Sequence, residues 1–85
     1  MISRKFDGLA NVVGKEIEKL RKQKKLSRAN LSNKIMMLGI DINYDGIYKI
    51  EKGKRIIKDF ELAALAKVLD TTETELLKDF RNNLK

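Results

Sequence analysis

The sequence predicts an all-α domain of five short helices, and three observations lead to this prediction. Apolar residues recur at three- and four-residue spacings in five successive segments, as they do along one face of a helix. Residues suited to beginning or ending a helix stand at most of the boundaries between these segments. No segment alternates apolar and polar residues as a half-buried strand does, and the chain has no proline.

The first predicted helix spans about residues 11–24. Its apolar residues stand at i, i+4 and i+7 and share one stripe: Val13, Ile17 and Leu20. Basic residues gather at its end: Arg21, Lys22, Lys24 and Lys25. Cations in this place stabilise the negative pole of the helix macrodipole, so the basic cluster has a structural explanation that needs no ligand.

The second predicted helix begins at Ser27, because a serine hydroxyl suits the N-cap position. Leu31 and Ile35 form its apolar stripe. We expect the helix to continue through residues 36–38 and to end at Gly39, which readily adopts the left-handed conformation of a helix stop.

The third predicted helix, residues 44–52, has two faces of different chemistry. Asn43 suits its N-cap and Gly53 its left-handed stop, while Ile47 and Ile50 fall together on one side. The other side carries phenols, ammonium groups and a carboxylate: Tyr44, Asp45, Tyr48, Lys49 and Lys52. Such a face can exchange hydrogen bonds with base edges and phosphates, although an isolated segment of this kind can equally be a solvated amphipathic helix.

Two closing helices follow. Asp59 is expected to cap the fourth, which has the most apolar stripe of the chain: Leu62, Leu65, Ala66 and Leu69. Asp70 stands where a left-handed residue would end that helix. Thr72 and Glu75 have the spacing of a capping box and open the fifth helix, whose apolar residues are Leu76, Leu77 and Phe80.

The composition narrows the classes of function. The chain has no cysteine and no histidine, which removes disulfides, the common zinc sites and Ser-His or Cys-His nucleophilic pairs. We therefore predict no enzyme, no metal, no cofactor and no small-molecule ligand, with a small hydrolase as the least favoured alternative.

No apolar run approaches the roughly 18 residues of a membrane span, and the interpretation is a cytoplasmic protein with no membrane partner.

The net charge of +7 is unevenly distributed along the chain. Residues 1–25 carry +5, residues 26–58 carry +4, and residues 59–85 carry −2. A folded domain with this asymmetry attracts polyanions through its positive part. Nucleic acid is the commonest such partner, and anionic membrane surfaces and acidic proteins compete as alternatives.

Four groups of residues in order resemble one family. They are GKEIEKLR at 14–21, Leu26-Ser27 followed by Leu31, IYKIEKGK at 47–54, and LAKVL at 65–69 leading to Glu75-Leu76-Leu77. Together they resemble the lambda-repressor-like, or XRE-type, helix-turn-helix transcriptional regulators over about residues 12–77. The resemblance implies a compact five-helix lambda-repressor-like DNA-binding domain.

The resemblance also implies a function and its residues. The chain would bind a specific site in double-stranded DNA with helix 44–52 in the major groove, as a repressor that occupies its operator. Base contacts would come from Tyr44, Asp45 and Lys49. Phosphate contacts would come from Ser27, Arg28, Tyr48, Lys52, Lys54 and Arg55. Arg21 and Glu51 would form a structural ion pair between the first and third helices.

Three features depart from the family pattern. Arg28 stands where the first residue of the second helix is usually Gln, and that Gln can bridge to the recognition helix. The stretch 36–41 makes the connection about five residues longer than the usual tight turn. Gly46 lies inside the recognition helix, where glycine costs about 1 kcal/mol relative to alanine.

The predicted organisation is an N-terminal arm at residues 1–10, the DNA-binding domain at 11–80 and a polar tail at 81–85. We expect the arm to be a frayed terminus, with Arg4 and Lys5 touching DNA as the alternative. A homodimer is expected, because one recognition helix reads few base pairs. The candidate interface residues, which alternatively close the core, are Leu76, Leu77, Phe80 and Leu84. The rival function is a protein-interaction module of the same fold, as in an antitoxin, that binds an acidic partner.

Overall fold

Five helices make up the regular structure of the computed structural model, which describes residue 6 and residues 8–84. The helices are α1 (Gly14–Gln23), α2 (Arg28–Met37), α3 (Tyr44–Glu51), α4 (Asp59–Val68) and α5 (Glu73–Asn82). Within the described ranges there is no strand, and a single isolated bridge pairs Phe6 with Leu9. The predicted all-α, five-helix fold is confirmed.

Most of the predicted helix boundaries are confirmed by local hydrogen bonds. Three N-cap side-chain oxygens accept from the amide three positions later: Ser27 at 3.0 Å, Asn43 at 2.8 Å and Thr72 at 3.1 Å. Residues with a positive φ follow four helices, and the sequence predicted three of them: Gly39, Gly53 and Asp70. The fourth is Lys25, which follows α1. Because each signal acts within four residues of chain, the sequence alone was sufficient to locate these ends.

Two helix starts differ from the prediction: α1 begins at Gly14 instead of near residue 11, and α4 begins one residue away from the predicted position. Asp59 was expected as its N-cap, but it is the first helical residue, and Lys58 takes the cap position. The backbone N–H of Lys58 donates to Oε1 of Glu61 at 3.0 Å. Glu61 is in turn held by Arg55, so an ion pair with the preceding loop fixes the carboxylate that caps this helix.

The hydrophobic core takes side chains from all five helices and from the connector before α3. The largest fully buried members are Ile17, Leu31, Ile35, Ile42, Ile47, Ile50, Leu65 and Leu69. Each such side chain contributes about 1.5–3 kcal/mol relative to an exposed one. Gly14 permits the closest approach of α1 to α3, because a Cβ at this position would collide with the carbonyl oxygen of Ile50.

The segment before α1 is packed rather than frayed where the structure describes it. The N–H of Ala10 donates to the carbonyl of Gly53 at 2.8 Å, and Leu9 lies against Gly53. The ring of Phe6 meets that of Phe80 edge to face, with 4.9 Å between centroids. The expectation of a frayed terminus is therefore wrong for these residues, while the expectation for Arg4 and Lys5 falls outside the described residues.

The C-terminal residues considered for a dimer interface differ in exposure. Leu76 is buried, Leu77 and Phe80 are half-buried, and Leu84 is exposed. The alternative in which these residues close the core therefore agrees with the packing of Leu76 and Leu77, whereas Phe80 packs against Phe6. None of the helices within the described residues is long and apolar enough to cross a bilayer.

Candidate nucleic-acid interface

Helix α3 turns its polar side outward over two buried isoleucines. Ile47 and Ile50 are fully buried, whereas Tyr44 and Tyr48 are 55% and 37% exposed and the side chain of Lys49 is 53% exposed. Packing of the apolar edge against the core therefore fixes which side faces solvent. The polar face of α3 is available to a ligand as large as a duplex.

The glycine inside α3 has a packing explanation. Gly46 is buried, and a Cβ there would lie 3.0 Å from Cγ2 of Ile42 and 3.3 Å from Oδ1 of Asn43. The missing side chain thus lets the connector pack closely against the first turn of the helix. This contact offsets part of the low helix propensity of glycine.

The three residues expected to meet base edges lie on this outward face. Tyr44 and Asp45 begin the helix, and Lys49 follows Asp45 by one turn. The ammonium Nζ of Lys49 lies 3.0 Å from Oδ2 of Asp45, so the carboxylate is paired with a cation on its own helix. Both side chains remain more than half exposed.

A buried carboxylate at the end of α3 holds three helices together. Oε2 of Glu51 accepts from Nε of Arg21 at 2.6 Å, and Oε1 accepts from Nη2 of the same guanidinium at 3.2 Å. Nη1 of Arg21 also donates to the carbonyl of Leu26 at 2.8 Å. The predicted Arg21–Glu51 pair is thus present, and both residues are more than nine-tenths buried.

Arg28 joins the same network from the start of α2. Its Nε donates to Oε1 of Glu51 at 2.8 Å, and its Nη2 lies 3.3 Å from Oε2 of Glu18. Its guanidinium also stacks 5.1 Å from the centroid of the Tyr48 ring. Arg28 therefore connects α2 to α3. The Gln that usually stands at this position in the family is expected to make the same connection.

Cations surround Tyr48 and the nearby Glu18. Nζ of Lys52 lies 5.7 Å from the Tyr48 ring centroid, so Lys52 and Arg28 both contact this ring. Burial of Glu18 acts to raise the pKa of its carboxyl, but Lys22, Lys52 and Arg28 together hold that pKa below its usual value. A negative charge at this point is therefore stabilised by the positive surface around it.

The basic loop after α3 divides into exposed and engaged cations. Lys52 and Lys54 are exposed, whereas Arg55 makes two hydrogen bonds to Glu61, at 3.0 and 2.9 Å. Burial alone would raise the pKa of the Glu61 carboxyl, but the Arg55 hydrogen bonds and the backbone N–H of Lys58 bring that pKa below its usual value. Arg55 thus fixes the loop to α4, with part of its guanidinium still solvent-exposed.

Sequence reasoning missed the contribution of Asn11 to this surface. Its Nδ2 donates to the carbonyls of Ile50 at 3.0 Å and Arg55 at 2.9 Å, while its Oδ1 accepts from the amides of Val13 and Gly14. One side chain therefore starts α1 and satisfies carbonyls at the end of α3 and in the loop after it. The available signal was an N-cap residue type just before the first apolar stripe.

Comparison with known proteins yields one family and one fold. Residues 17–76 match the family model HTH_3, described as helix-turn-helix. The structure is similar to a chain of a solved SinR protein/SinI protein complex, with a TM-score of 0.67 and 24% sequence identity, over 87% of this chain and 68% of that chain. At this identity the likeness shows the fold. No curated protein matches the chain.

Proposed function

This chain belongs to the lambda-repressor-like (XRE-type) helix-turn-helix family, and we propose that it regulates transcription by binding a specific site in double-stranded DNA. The proposed mode of action is repression by occupying the operator, with α3 in the major groove. One observation carries the proposal: a capped helix presents a polar face over buried isoleucines and lies beside exposed cations. Such a face can both approach phosphate and read base edges.

The proposed contacts fall into two groups. Tyr44, Asp45 and Lys49 would meet base edges, because they occupy the outward side of the first two turns of α3. The cations and hydroxyls around this face would bind phosphates: Ser27, Arg28, Tyr48, Lys52, Lys54 and Arg55. Arg28 and Arg55 also form internal ion pairs, which support a fixed orientation of each guanidinium for such a contact.

The proposed DNA binding can be tested by its salt dependence. If about five phosphates are neutralised, log K should fall with log salt at a slope of about −4 to −5. Fluorescence anisotropy with a labelled duplex between low and physiological salt measures this slope. Selection of genomic fragments followed by footprinting should then enrich one palindromic site. A slope near zero would exclude the mechanism.

The proposed active species is a homodimer whose two recognition helices read half-sites about 34 Å apart. Leu84 is the exposed apolar residue among those considered for the interface, so dimer contacts there would involve the end of the chain. Sedimentation of the protein with and without its selected duplex tests whether it is a dimer.

The proposal also includes the domain organisation and the location of the protein. Residues 11–80 would form the DNA-binding domain between an N-terminal arm and a C-terminal tail, and the protein would act in the cytoplasm.

A second candidate function is binding of a partner protein through the same fold. Three apolar residues at the end of α2 are exposed, and Met37 is 84% exposed: Met36, Met37 and Leu38. The solved structure of similar fold is, by its title, a complex of two proteins. Affinity capture that retains one protein, together with a failed DNA selection, would favour this candidate over the regulator.

A further inference from the structure

We propose that Asp45 and Lys49 act as one unit that recognises a single G·C base pair in the major groove. The inference rests on the proposed DNA-binding function and deepens it by naming the sequence feature that is read. Its basis is the ion pair on the outward face of α3, with 3.0 Å between Lys49 Nζ and Asp45 Oδ2. The unit thus presents one donor group and one acceptor group at hydrogen-bond spacing.

The edge of a G·C pair offers the complementary groups at the same spacing. Guanine presents N7 and O6 as acceptors, and cytosine presents its N4 amino group as a donor. O6 and N4 are hydrogen-bonded to each other across the pair, so they lie about 3 Å apart. The three ammonium hydrogens of Lys49 can therefore span N7 and O6 while the carboxylate of Asp45 accepts from N4.

The other base pairs fit this order of groups less well. A T·A pair in the same orientation also places an acceptor beside a donor, thymine O4 beside adenine N6. However, it then sets the thymine methyl next to the ammonium of Lys49 and the N7 lone pair of adenine next to the carboxylate of Asp45. A C·G pair reverses the donor and acceptor. The geometry therefore favours G·C in one fixed orientation.

Pairing also explains how a carboxylate is tolerated on a surface that faces phosphate. Asp45 and Lys49 together carry no net charge, so the unit adds little to the attraction between the protein and DNA of any sequence. Its effect should appear in sequence preference. Removing the carboxylate of Asp45 alone leaves the ammonium of Lys49 without its counter-charge. This change should strengthen binding to unrelated DNA and weaken the preference for G·C.

Selection from a randomised duplex pool tests the unit with Asp45→Asn and Lys49→Met. Both exchanges alter exposed side chains, and circular dichroism melts check that each variant is folded. Lys78→Met is the matched control, because Lys78 forms a similarly exposed ion pair with Glu75 on α5, a helix that is not part of the proposed interface. The control should keep the wild-type preference at every position.

The expected result is loss of preference at one and the same base pair in both variants, with discrimination there reduced about 5- to 150-fold and other positions unchanged. Asp45→Asn should also bind an unrelated duplex more tightly, with a salt slope more negative by about 0.9. Replacing the selected cytosine by 5-methylcytosine should weaken binding of the unaltered protein, because the added methyl group lies beside N4 and faces the carboxylate.

Two results would overturn the inference. They are loss of preference at two different positions and selection of T·A or A·T at the shared position. Each of these leaves sequence-specific DNA binding intact. Absence of salt-dependent duplex binding, or binding with no sequence preference at all, would instead overturn the proposed function, so the two failures are distinguishable.

Discussion

A single buried carboxylate, that of Glu51, connects the three helices around the candidate interface. It lies at the end of α3 and accepts hydrogen bonds from Arg21 of α1 and Arg28 of α2. Removing a carboxylate from water is costly, and the two guanidiniums offset that cost only in this geometry. The contact therefore makes the position of α3 depend on one residue.

Glu51→Gln should destabilise the fold by about 3–5 kcal/mol, because it leaves Arg21 buried without a counter-charge. Urea denaturation followed by circular dichroism measures the free energy of unfolding. The control is Glu75→Gln, an exposed site at which a change within about 0.5 kcal/mol is expected. Similar losses for the two variants would contradict the structural role of Glu51.

Glu61 should make stability depend on pH in the acid range. Its folded-state pKa lies below the ordinary value of 4.5, so its contribution is fully present above about pH 4.5 and is lost as the pH falls through the folded-state pKa. The difference in melting temperature between the wild type and Glu61→Gln should therefore narrow below pH 4.5. Exposed Glu73→Gln serves as the control, and a Glu61 difference that stays constant with pH would refute this prediction.

Lys49→Ala and Arg28→Ala should affect DNA binding in different ways. Loss of Lys49 should reduce discrimination at one base pair by about 1–3 kcal/mol, because it removes a base-edge donor. Loss of Arg28 should weaken all sequences alike, because it removes a proposed phosphate contact and one of the two guanidiniums that hold Glu51 at the end of α3. Competition assays with single base-pair variants of a selected site measure both effects. Uniform losses in both variants would remove Lys49 from base readout.

At the scale of elements, α3 depends on its neighbours. The helix has eight residues, too few to be stable alone in water. Asn43 caps its beginning, Ile47 and Ile50 bury its apolar edge, and Asn11 binds the carbonyl of Ile50 near its end. The outward face keeps its orientation because the cap and the apolar edge of the helix act together with a contact from the segment before α1.

Asn11→Ala should destabilise the protein by about 1–3 kcal/mol, since it leaves part-buried carbonyls of Ile50 and Arg55 without their donor. Amide hydrogen exchange should accelerate most at the end of α3 and the start of α1. Exposed Asn33→Ala, on α2, is the matched control. Uniformly faster exchange across all helices would argue against a local role for Asn11.

At the scale of the whole molecule, charge is divided between the two parts of the fold. Residues 1–58 hold the positive excess, and the sequence from residue 59 to 85, within which α4 and α5 lie, carries −2. Long-range attraction should therefore favour approach of a polyanion to the part of the fold that contains α3. Under the proposed function, this division would orient DNA before any base is read.

The same division predicts which charges contribute to the salt dependence of DNA binding. Lys54→Gln should reduce the magnitude of the salt slope by about 0.9, because it removes one phosphate contact near α3. Lys67→Gln on α4 removes the same charge from an exposed position and should leave the slope nearly unchanged. Titrations of both variants at several salt concentrations compare the slopes. Equal reductions would mean that net charge alone matters.

Local signals in the sequence determined the five helices, most of their ends and the outward face of α3. Apolar spacing and caps such as Ser27, Asn43 and Thr72 act within a few residues, so they can be read without the fold. They also carry the family resemblance. The residues expected to bind DNA could be proposed on this basis, and the structure shows their exposure and internal partners.

Only the tertiary structure decided which distant groups meet. Glu51 binds Arg28 as well as Arg21. Glu61, which caps α4, forms an ion pair with Arg55. Asn11 donates a hydrogen bond to a carbonyl at the end of α3. Glu51 and Asn11 meet partners 23 to 44 positions away, so no local period or cap signal predicts these contacts. Arg55 and Glu61 are only six positions apart, but they lie in a loop and a helix whose relative placement the sequence pattern does not give. Their pairing follows from how the helices pack, because a buried polar group must find its partner wherever packing places one.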